Sequence, residues 1–399
     1  MIRHITLPKG FRAAGTTCGI KASGKPDLAI IAGEADCSAA IVTTQNQIVG
    51  APIQWVRSIL PSGRGKVRAF VVNSGCSNVC TGKAGLRDAE TMAKRTARQL
   101  DTTAEKVLVA STGVIGQRLP IGKITAGIDD AGGKLSTRND AMVMRAMMTT
   151  DTRPKTAVVK THIGGSRVAI AGIAKGAGMI APSMATMISP VTTDLAISPT
   201  LLRKALREVV RTTYNAVTVD SDTSTSDIVA ILASGAAGNK SVKAGSADYR
   251  KFLATLREVC GELSRAIAAD GEGATRLIEV TVSGARNDAD AEAAAKSVAD
   301  SPLFKTAVHG GDPNWGRIAM ALGKSSATVR AETLRIRIGG VLVFSNGTGR
   351  AFNVARVEEA LQQPEVRIEA DLGLGKGHFT ALTCDLSREY IALNADYTT

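Results

Sequence analysis

Short apolar runs that end in glycine-rich turns recur along the chain and alternate with segments of helical periodicity. Val67–Val72 has the pattern of a buried strand and ends at Asn73-Ser74-Gly75, and Val107–Ala110 runs into Ser111-Thr112-Gly113. Between them, Ala84–Leu100 places its apolar residues at helical spacing. This alternation predicts α/β or α+β layers, and the length of 399 residues predicts two or three domains.

The rest of the chain continues this pattern. The predicted elements are a hairpin of Thr156–Thr161 and Arg167–Ile173, helices at Ser198–Tyr214, Tyr249–Ala269 and Ala289–Ala299, and a strand at Leu277–Val282. Glycine-rich turns follow several of the strands, and glycine allows a backbone to approach a ligand closely. Any strand end can carry glycine, so only the turns taken together predict a site assembled from loops.

The chain carries 49 Lys and Arg against 36 Asp and Glu, a formal net charge of +13. Such a charge attracts nucleic acid or a small anionic substrate. The basic residues are spread out, their densest clusters (Arg64–Arg68 and Arg203–Arg211) are short, and aromatic residues make up only 3% of the chain. A solvated basic surface is therefore favoured over nucleic-acid binding.

Several common classes of protein are not supported. The uncharged run Gly176–Thr193 contains two prolines and several hydroxyls and is poorly suited to a membrane. The N-terminus lacks the apolar core of a secretory signal, and six cysteines in so long a chain do not form a disulfide scaffold. A cytoplasmic location is the simplest expectation. Phosphate-loop, G-x-S-x-G and H-E-x-x-H motifs are absent, and Cys76 and Cys80 lack the second pair of a usual zinc site, so no metal is predicted.

The segment Lys175–Ser189, KGAGMIAPSMATMIS, is the most unusual in the chain. A threonine hydroxyl is a poor nucleophile unless a base takes its proton, and at a chain N-terminus the α-amine of the threonine is that base. This amine has an ordinary pKa of about 7.7–8.0, which suits a base at neutral pH. Thr186 reaches that state if its hydroxyl attacks the carbonyl of Ala185 and water hydrolyses the resulting ester. Ala-Thr pairs are common and usually structural, so the residues alone leave both interpretations open.

The order of motifs along nearly the whole chain resembles the ornithine acetyltransferase, or bifunctional glutamate N-acetyltransferase, family of arginine biosynthesis. The shared motifs are NSG…CTG (Asn73–Gly82), STGVIG (Ser111–Gly116), MTTDTRPK (Met148–Lys155), AKGAGMIAPSMATM (Ala174–Met187), DTSTSD (Asp222–Asp227), DGEGATRLIEV (Asp270–Val280), DPNWGRI (Asp312–Ile318) and NADYTT (Asn394–Thr399). Eight motifs in the same order argue against a chance match.

The resemblance implies a role for each matching residue. Thr186 is implied as the nucleophile, freed by cleavage of the Ala185–Thr186 bond, with Thr112 and Gly113 as the oxyanion hole. The implied substrate-binding residues are Thr149, Lys175, Thr186, Glu272, Asn394 and Thr399. Without the resemblance, the ordinary alternatives are a strand-end turn at positions 112–113, a surface Lys175, a capping or solvated Glu272, and a frayed tail at Asn394–Thr399.

The implied reaction is a ping-pong transfer of an acetyl group from N2-acetylornithine to L-glutamate through an acetyl-threonine. It needs no metal or organic cofactor, and acetyl-CoA is a second donor in bifunctional members. Both substrates carry an α-carboxylate that a lysine and hydroxyl or amide donors can hold, and Glu272 suits the cationic side chain of ornithine.

The resemblance also implies a fold and an assembly. The fold is α/β/β/α, two sheets sandwiched between helices, with a smaller α/β domain in the C-terminal half. The α chain, residues 1–185, holds the N-terminal sandwich domain; the β chain, residues 186–399, completes the sandwich and carries the smaller domain. Two copies of each chain are expected to form a heterotetramer.

The chain departs from the family pattern in two places. After NSG it has Cys76-Ser77-Asn78-Val79 instead of a stretch rich in asparagine and alanine, which bears on substrate preference. Ser221 separates two aspartates where the family commonly reads DGDTST. Asp220, Asp222 and Asp227 lack the glycine and terminal glutamate of a calcium loop, so a hydroxyl-rich turn near the site is predicted. The stretch 312–316 is predicted to be structural, with a turn at Asp-Pro-Asn and a packed Trp315.

Two alternatives to acetyl transfer stay open. A self-processing amidohydrolase or aminopeptidase of related architecture would use the same N-terminal threonine and release its product to water. Glu272, Asn394 and Thr399 favour an amino-acid acceptor instead. A non-enzymatic nucleic-acid binder is motivated by the net charge and requires binding at physiological salt.

Overall fold

The computed structural model describes residues 4–181 and 187–396, and its strands form two mixed sheets with helices packed against them. The larger sheet has eight strands and takes in the chain on both sides of residue 186. The smaller sheet has six strands and begins at residue 277. No helix in the two described ranges is both long and apolar enough to cross a membrane.

The larger sheet places a strand in its interior directly after the predicted cleavage bond. Its strands are β1 (Phe11–Thr16), β2 (Leu28–Thr43), β3 (Arg64–Cys76), β4 (Val107–Val114), β5 (Lys155–Ile163), β6 (Ser166–Ala174), β7 (Ile188–Thr193) and β8 (Ile228–Ala233). They lie in the order β4-β3-β2-β8-β7-β6-β5, with β1 paired to β2. β3 and β4 run parallel, as do β7 and β8, and the other neighbours are antiparallel. β7 therefore pairs with one strand before residue 186 and one after it.

Six helices of the described residues pack against this sheet. They are α1 (Ala51–Ile59), α2 (Gly82–Gln99), α3 (Ile121–Gly133), α4 (Asp140–Met147), α5 (Pro199–Thr212) and α6 (Ala247–Ala269). The α5 helix begins as the Ser-Pro sequence predicts, because the Ser198 hydroxyl accepts the N–H of Leu201 and proline fills the first turn.

The strand β2 divides the larger sheet into two halves, with β1, β3 and β4 on one side and β5 to β8 on the other. These halves face each other and, with their helices, form four layers. Ile30 of β2 packs with α2 and α3, whereas Ile31 packs in the interior between the two halves. On the other half, Val229 and Ile231 of β8 pack with α5 and α6, and Ala230 packs in the same interior. The order of layers is helix, sheet, sheet, helix. The predicted α/β class with sheets between helices is confirmed.

The smaller sheet forms a separate core in the C-terminal part of the chain. Its strands are β9 (Leu277–Ala285), β10 (Arg335–Ile338), β11 (Val341–Ser345), β12 (Thr348–Gly349), β13 (Glu365–Asp371) and β14 (Gly377–Cys384), in the order β12-β11-β10-β13-β9-β14. The remaining helices are α7 (Asp288–Ala299), α8 (Pro302–Gly310), α9 (Trp315–Gly323), α10 (Val354–Leu361) and α11 (Arg388–Asp396). Asn314 caps α9, and the ring centroid of Trp315 lies 5.2 Å from that of Phe344. The predicted structural role of this stretch is confirmed.

Candidate active site

Thr112 and Gly113 lie at the end of the edge strand β4, opposite Ser74 and Gly75 of β3. Gly113 has a φ of +124°, and a Cβ at this position would lie 2.4 Å from the carbonyl carbon of Gly75. Only glycine fits, because a side chain would collide with the backbone of the neighbouring strand. Thr112 is buried, with 4% of its surface exposed. This strand end is therefore a closely packed, fixed position.

Lys175 connects this strand end to the segment that carries the predicted cleavage bond. Its backbone pairs with Ile188 in the register of β6 and β7, and its Nζ donates a hydrogen bond of 3.1 Å to Oγ1 of Thr112. The side chain is buried, not a surface residue. Burial lowers the pKa of Lys175, and the nearby Asp151 opposes this shift. Because Thr112 accepts from Lys175, its own hydroxyl hydrogen is free to donate in another direction.

Asp151 links Thr149 to the backbone next to Lys175. Its carboxylate accepts from the N–H of Thr149 at 3.0 Å, from the N–H of Gly176 at 2.7 Å and from Nζ of Lys155 at 2.6 Å. Burial alone would raise the pKa of Asp151, but Lys175, Lys155 and the Gly176 N–H outweigh it and lower the pKa to about 2. The site therefore contains an ionised buried carboxylate that balances lysine charge.

Lys155 extends this network to the loop that carries Glu272. Its buried ammonium contacts both Asp151 and Asp270. Asp270 also accepts from the N–H of Thr152 at 3.2 Å. Breaking such a pair leaves an uncompensated buried charge, so the arrangement is held firmly. It ties the connection between α4 and β5 to the connection between α6 and β9.

Glu272 and Asn394 contact each other. Nδ2 of Asn394, on α11, donates to Oε2 of Glu272 at 2.9 Å. Glu272 is largely buried, and its N–H donates to the carbonyl of Ala177 at 2.9 Å. A Cβ on Gly178 would lie 2.3 Å from the Glu272 carboxyl carbon, so glycine at 178 makes room for this carboxylate. Glu272 is thus held against the segment that follows Lys175.

The structure brings most of the predicted site residues together. Through the contacts above, one cluster contains Thr112, Gly113, Thr149, Lys175, Glu272 and Asn394. Ala185, Thr186 and Thr399 lie outside the described residues, and their predicted roles stay predictions.

Four lysine and aspartate residues of the cluster are not predicted as site residues. Asp151 and Lys155 lie in the MTTDTRPK motif and Asp270 in the DGEGATRLIEV motif, so the motifs themselves could have identified them. Lys21 had no such signal; its Nζ donates to the carbonyls of Pro26 and Met148, each at 2.7 Å. Burial, opposed by Asp27, lowers the pKa of Lys21 to about 8.

The aspartate-rich stretch 220–227 lies beside the same segment. Asp220 accepts from the N–H groups of Met179 and Ile180, and Asp227 accepts from the N–H of Met187. The stretch therefore contacts the backbone on both sides of the predicted cleavage bond. Within residues 4–181 and 187–396, no group of three or more His, Cys, Asp or Glu could hold a metal ion.

The loop Cys76–Val79, where the chain departs from the family pattern, is fastened to the end of β4. The N–H and Oγ of Ser77 both donate to the carbonyl of Val114, at 3.0 and 2.9 Å. The side-chain amide of Asn78 donates to the carbonyl of Gly85 at 3.0 Å. Both side chains are buried, so the residues that differ from the family pattern form hydrogen bonds inside the protein.

The two basic clusters of the sequence meet in a surface cavity of about 630 Å³. The cavity is lined by Ser62, Arg64, Thr200, Arg203, Lys204, Arg207 and Glu208, and by none of the clustered site residues. Glu208 pairs with Arg257 at 3.2 Å, and Arg203 donates to the carbonyls of Ile41 and Gly63. The cavity belongs to the basic surface, and the chemistry described above lies elsewhere.

The chain is similar to known proteins along almost its whole length. The profile of the ArgJ family matches residues 12–399. An arginine biosynthesis bifunctional protein ArgJ from Deinococcus radiodurans is 45% identical over 395 residues, covering 99% of this chain and 98% of that protein. The protein of the same name from Symbiobacterium thermophilum is 45% identical over 397 residues, with the same coverage.

A solved structure is also similar. The crystal structure of arginine biosynthesis bifunctional protein ArgJ from Bacillus halodurans aligns with a TM-score of 0.50 at 40% identity. The match covers 52% of this chain and 97% of that chain.

Proposed function

The chain belongs to the ArgJ family of arginine-biosynthesis acyltransferases, and we propose that it moves an acetyl group from N2-acetylornithine to L-glutamate through an acetyl ester of Thr186. The observation that carries the proposal is the hydrogen bond between Lys175 and Thr112. It joins two motifs with separate predicted roles, and Lys175 pairs with Ile188, two residues after Thr186.

The nucleophile is prepared by self-cleavage. Oγ1 of Thr186 attacks the carbonyl carbon of Ala185, the peptide C–N bond breaks, and an ester forms as the nitrogen gains a proton. Water then hydrolyses the ester, leaving a carboxylate on Ala185 and a free α-amine on Thr186. This amine is the base for the later steps, because its ordinary pKa lies near neutral pH.

The first half-reaction moves the acetyl group to the enzyme. The α-amine takes the proton of the Thr186 hydroxyl as its oxygen attacks the acetyl carbonyl of N2-acetylornithine. The carbonyl oxygen becomes negatively charged, and the free hydroxyl hydrogen of Thr112 and the N–H of Gly113 are proposed to stabilise it. The C–N bond breaks, the proton passes to the leaving amine, and ornithine departs.

The second half-reaction runs the same steps in reverse with another amine. The α-amino group of glutamate attacks the acetyl-threonine, the same donors stabilise the second tetrahedral intermediate, and Thr186 regains its proton. Splitting the transfer into two steps through a covalent ester replaces one difficult step with two easier ones.

The remaining clustered residues are proposed to bind substrate. A buried Lys175 offers positive charge to the α-carboxylate that both substrates share, and Thr149 lies beside it through Asp151. Glu272, oriented by Asn394, is placed to pair with the side-chain ammonium of ornithine. Thr399 is proposed to complete this part of the site.

The proposed subunit composition and the proposed acetyl donors are those of the family. We propose an α chain of residues 1–185 and a β chain of residues 186–399, two of each, in the cytoplasm. The Bacillus halodurans match supports processing, since 52% of this chain covers 97% of that chain, which is therefore roughly half as long. No cofactor is needed for the transfer, and acetyl-CoA is proposed as a second donor in keeping with the word bifunctional in the relatives' names.

Intact mass spectrometry under denaturing conditions tests the proposal. Purified protein is expected to give two masses that divide between Ala185 and Thr186, and N2-acetylornithine is expected to add one acetyl group to the second. Glutamate should remove that group as N-acetylglutamate, whereas loss to water without glutamate would indicate an amidohydrolase. Thr186→Ala is the control and should stay uncleaved and unlabelled. An active preparation that consists of one unbroken polypeptide would refute the mechanism.

A further inference from the structure

The loop from Asp220 to Asp227 contacts the predicted cleavage segment on both sides. Before it, Oδ2 of Asp220 accepts the N–H of Met179 at 2.6 Å and Oδ1 accepts the N–H of Ile180 at 2.8 Å. The backbone adds a bond from the N–H of Val219 to the carbonyl of Ile180 at 2.7 Å. The Asp220 carboxylate thus holds Met179 and Ile180, and the backbone of Val219 also holds Ile180.

After the segment, Asp227 makes the equivalent contact. Its Oδ1 accepts the N–H of Met187 at 2.9 Å, and the N–H of Ile228 donates to the carbonyl of Met187 at 3.0 Å. Met187 is covalently bonded to Thr186, so this hydrogen bond fixes the peptide that leaves the predicted nucleophile. The two aspartates, which we call the aspartate clamp, lie seven positions apart in one loop.

Asp227 is fully buried. Burying a carboxyl group costs stability unless its atoms are hydrogen-bonded, and the N–H of Met187 satisfies Oδ1. This buried side chain therefore holds the residue next to Thr186.

We propose that the aspartate clamp positions the scissile segment, and that Asp227 then holds the new N-terminus of the second chain so that the Thr186 α-amine stays in place as the base. This inference rests on the proposed function and deepens it. Asp227 acts through Met187 and is a positioning residue, whereas Asp220 holds the end that belongs to the first chain after cleavage.

The charge of Asp227 decides whether the amine can work. Because Asp227 binds the N–H of Met187, which is bonded to Thr186, an ionised carboxylate would stabilise the ammonium form of the new N-terminus and suppress the base, whereas a neutral carboxyl group would not. Burial raises the pKa of Asp227 well above its ordinary range, with the Met187 N–H, Ser224 and Lys175 opposing the shift. Lys175 is the charged group that faces Asp227 among the described residues. The direction of this shift favours the neutral form that the role requires.

Two variants of Asp227 separate positioning from packing. Asp227→Ala removes the acceptor of the Met187 N–H and is expected to slow self-cleavage roughly tenfold or more. In the protein that does cleave, kcat should fall while KM for glutamate changes little. Asp227→Asn keeps a neutral group with an oxygen acceptor, so it should restore cleavage and leave the pH profile of transfer unchanged.

Asp194→Ala is the matched control. Asp194 is also buried, follows the other end of β7, and accepts the N–H of Ala169 at 2.9 Å. Its loss should lower stability without selectively slowing cleavage. All variants are compared by time-resolved denaturing electrophoresis, steady-state kinetics and urea unfolding.

The outcomes distinguish this inference from the proposed function. If the wild-type protein neither cleaves nor transfers acetyl groups, the proposed function fails. If the wild type works and Asp227→Ala cleaves as fast as Asp194→Ala, the aspartate clamp is refuted. If Asp227→Ala does not fold, Asp227→Asn decides: an apparent amine pKa lower by about one unit would mean that Asp227 is ionised, and would overturn its role as a neutral holder.

Discussion

Replacing Thr112 by valine removes one hydroxyl and keeps the shape of the side chain. Thr112 is 4% exposed, and its Oγ1 accepts a hydrogen bond of 3.1 Å from the buried Nζ of Lys175. This geometry leaves the hydroxyl hydrogen to donate elsewhere, and the proposed mechanism directs it at the developing oxyanion. Thr112→Val therefore tests the oxyanion role without creating a cavity.

The expected effects differ between activity and stability. Loss of one oxyanion donor costs about 2.7–4 kcal/mol of transition-state stabilisation, or a factor of roughly 10² to 10³ in kcat. Loss of a hydrogen bond to a charged group costs about 1.5–3 kcal/mol of folding free energy. The Lys175 ammonium would lose its Thr112 acceptor inside the protein, so its pKa should fall further.

Stopped-flow and steady-state measurements on the cleaved enzyme give kcat and both KM values, normalised to the amount of the second chain found by mass spectrometry. Thr112→Ser keeps the hydroxyl and should stay within a few-fold of wild type. Ser111→Ala is the matched control, since Ser111 is buried in the same strand and its hydroxyl donates to Asn73. If Thr112→Val loses stability but keeps kcat within about threefold, Thr112 only packs and the oxyanion assignment is wrong.

Three other changes have defined outcomes. Gly113→Ala should lose about 3 kcal/mol or more in urea unfolding, because its Cβ would lie 2.4 Å from the Gly75 backbone, and a near-normal midpoint would contradict this strain. Glu272→Gln should raise KM for N2-acetylornithine roughly tenfold or more and affect glutamate less, and equal effects on both substrates would remove its specific role. Asp151→Asn should lower stability at pH 7 by about 2–3 kcal/mol, since the folded pKa of about 2 lies below the unfolded value. A depressed carboxyl pKa stabilises the fold above the unfolded value, so this advantage of the wild type should disappear as the pH falls from about 4 to 2.

Local periodicity predicts the elements whose contacts are mostly local. The helices α2, α5 and α6 and the hairpin of β5 and β6 occur where the sequence analysis expects them. The longest strand, β2, is missed, although it spans 16 residues and pairs with β1, β3 and β8. Gly33, Glu34 and Asp36 interrupt its apolar pattern, and the register with β3 shifts between Ala32 and Cys37. The two apolar runs on either side of this interruption form one continuous strand only because they pair with neighbouring strands in the folded protein.

In the site, too, the sequence motifs identify individual residues but do not predict contacts between residues that are far apart in the chain. Family motifs name Thr112, Lys175 and Glu272, but they cannot show that these residues meet. The contact between Lys155 and Asp270 joins positions 115 residues apart, and no spacing rule predicts it. The sequence resemblance therefore predicts which residues act, whereas the ion pairs that hold them in place follow from the packing of the sheet ends.

The position of β7 explains how a cut at residue 185 can leave the site intact. A cut there would leave β6 on the first chain and both β7 and β8 on the second, yet β7 is hydrogen-bonded to both neighbours. Lys175 and Ile188 exchange two backbone bonds across the cut, and Ile228 holds Met187 on the other side. The new N-terminus would thus start two residues before an anchored strand in the interior of the sheet, where an end is least free to move. An interior strand would satisfy two requirements at once: it would keep the two chains associated through the shared sheet, and it would anchor the second chain close to its new N-terminus.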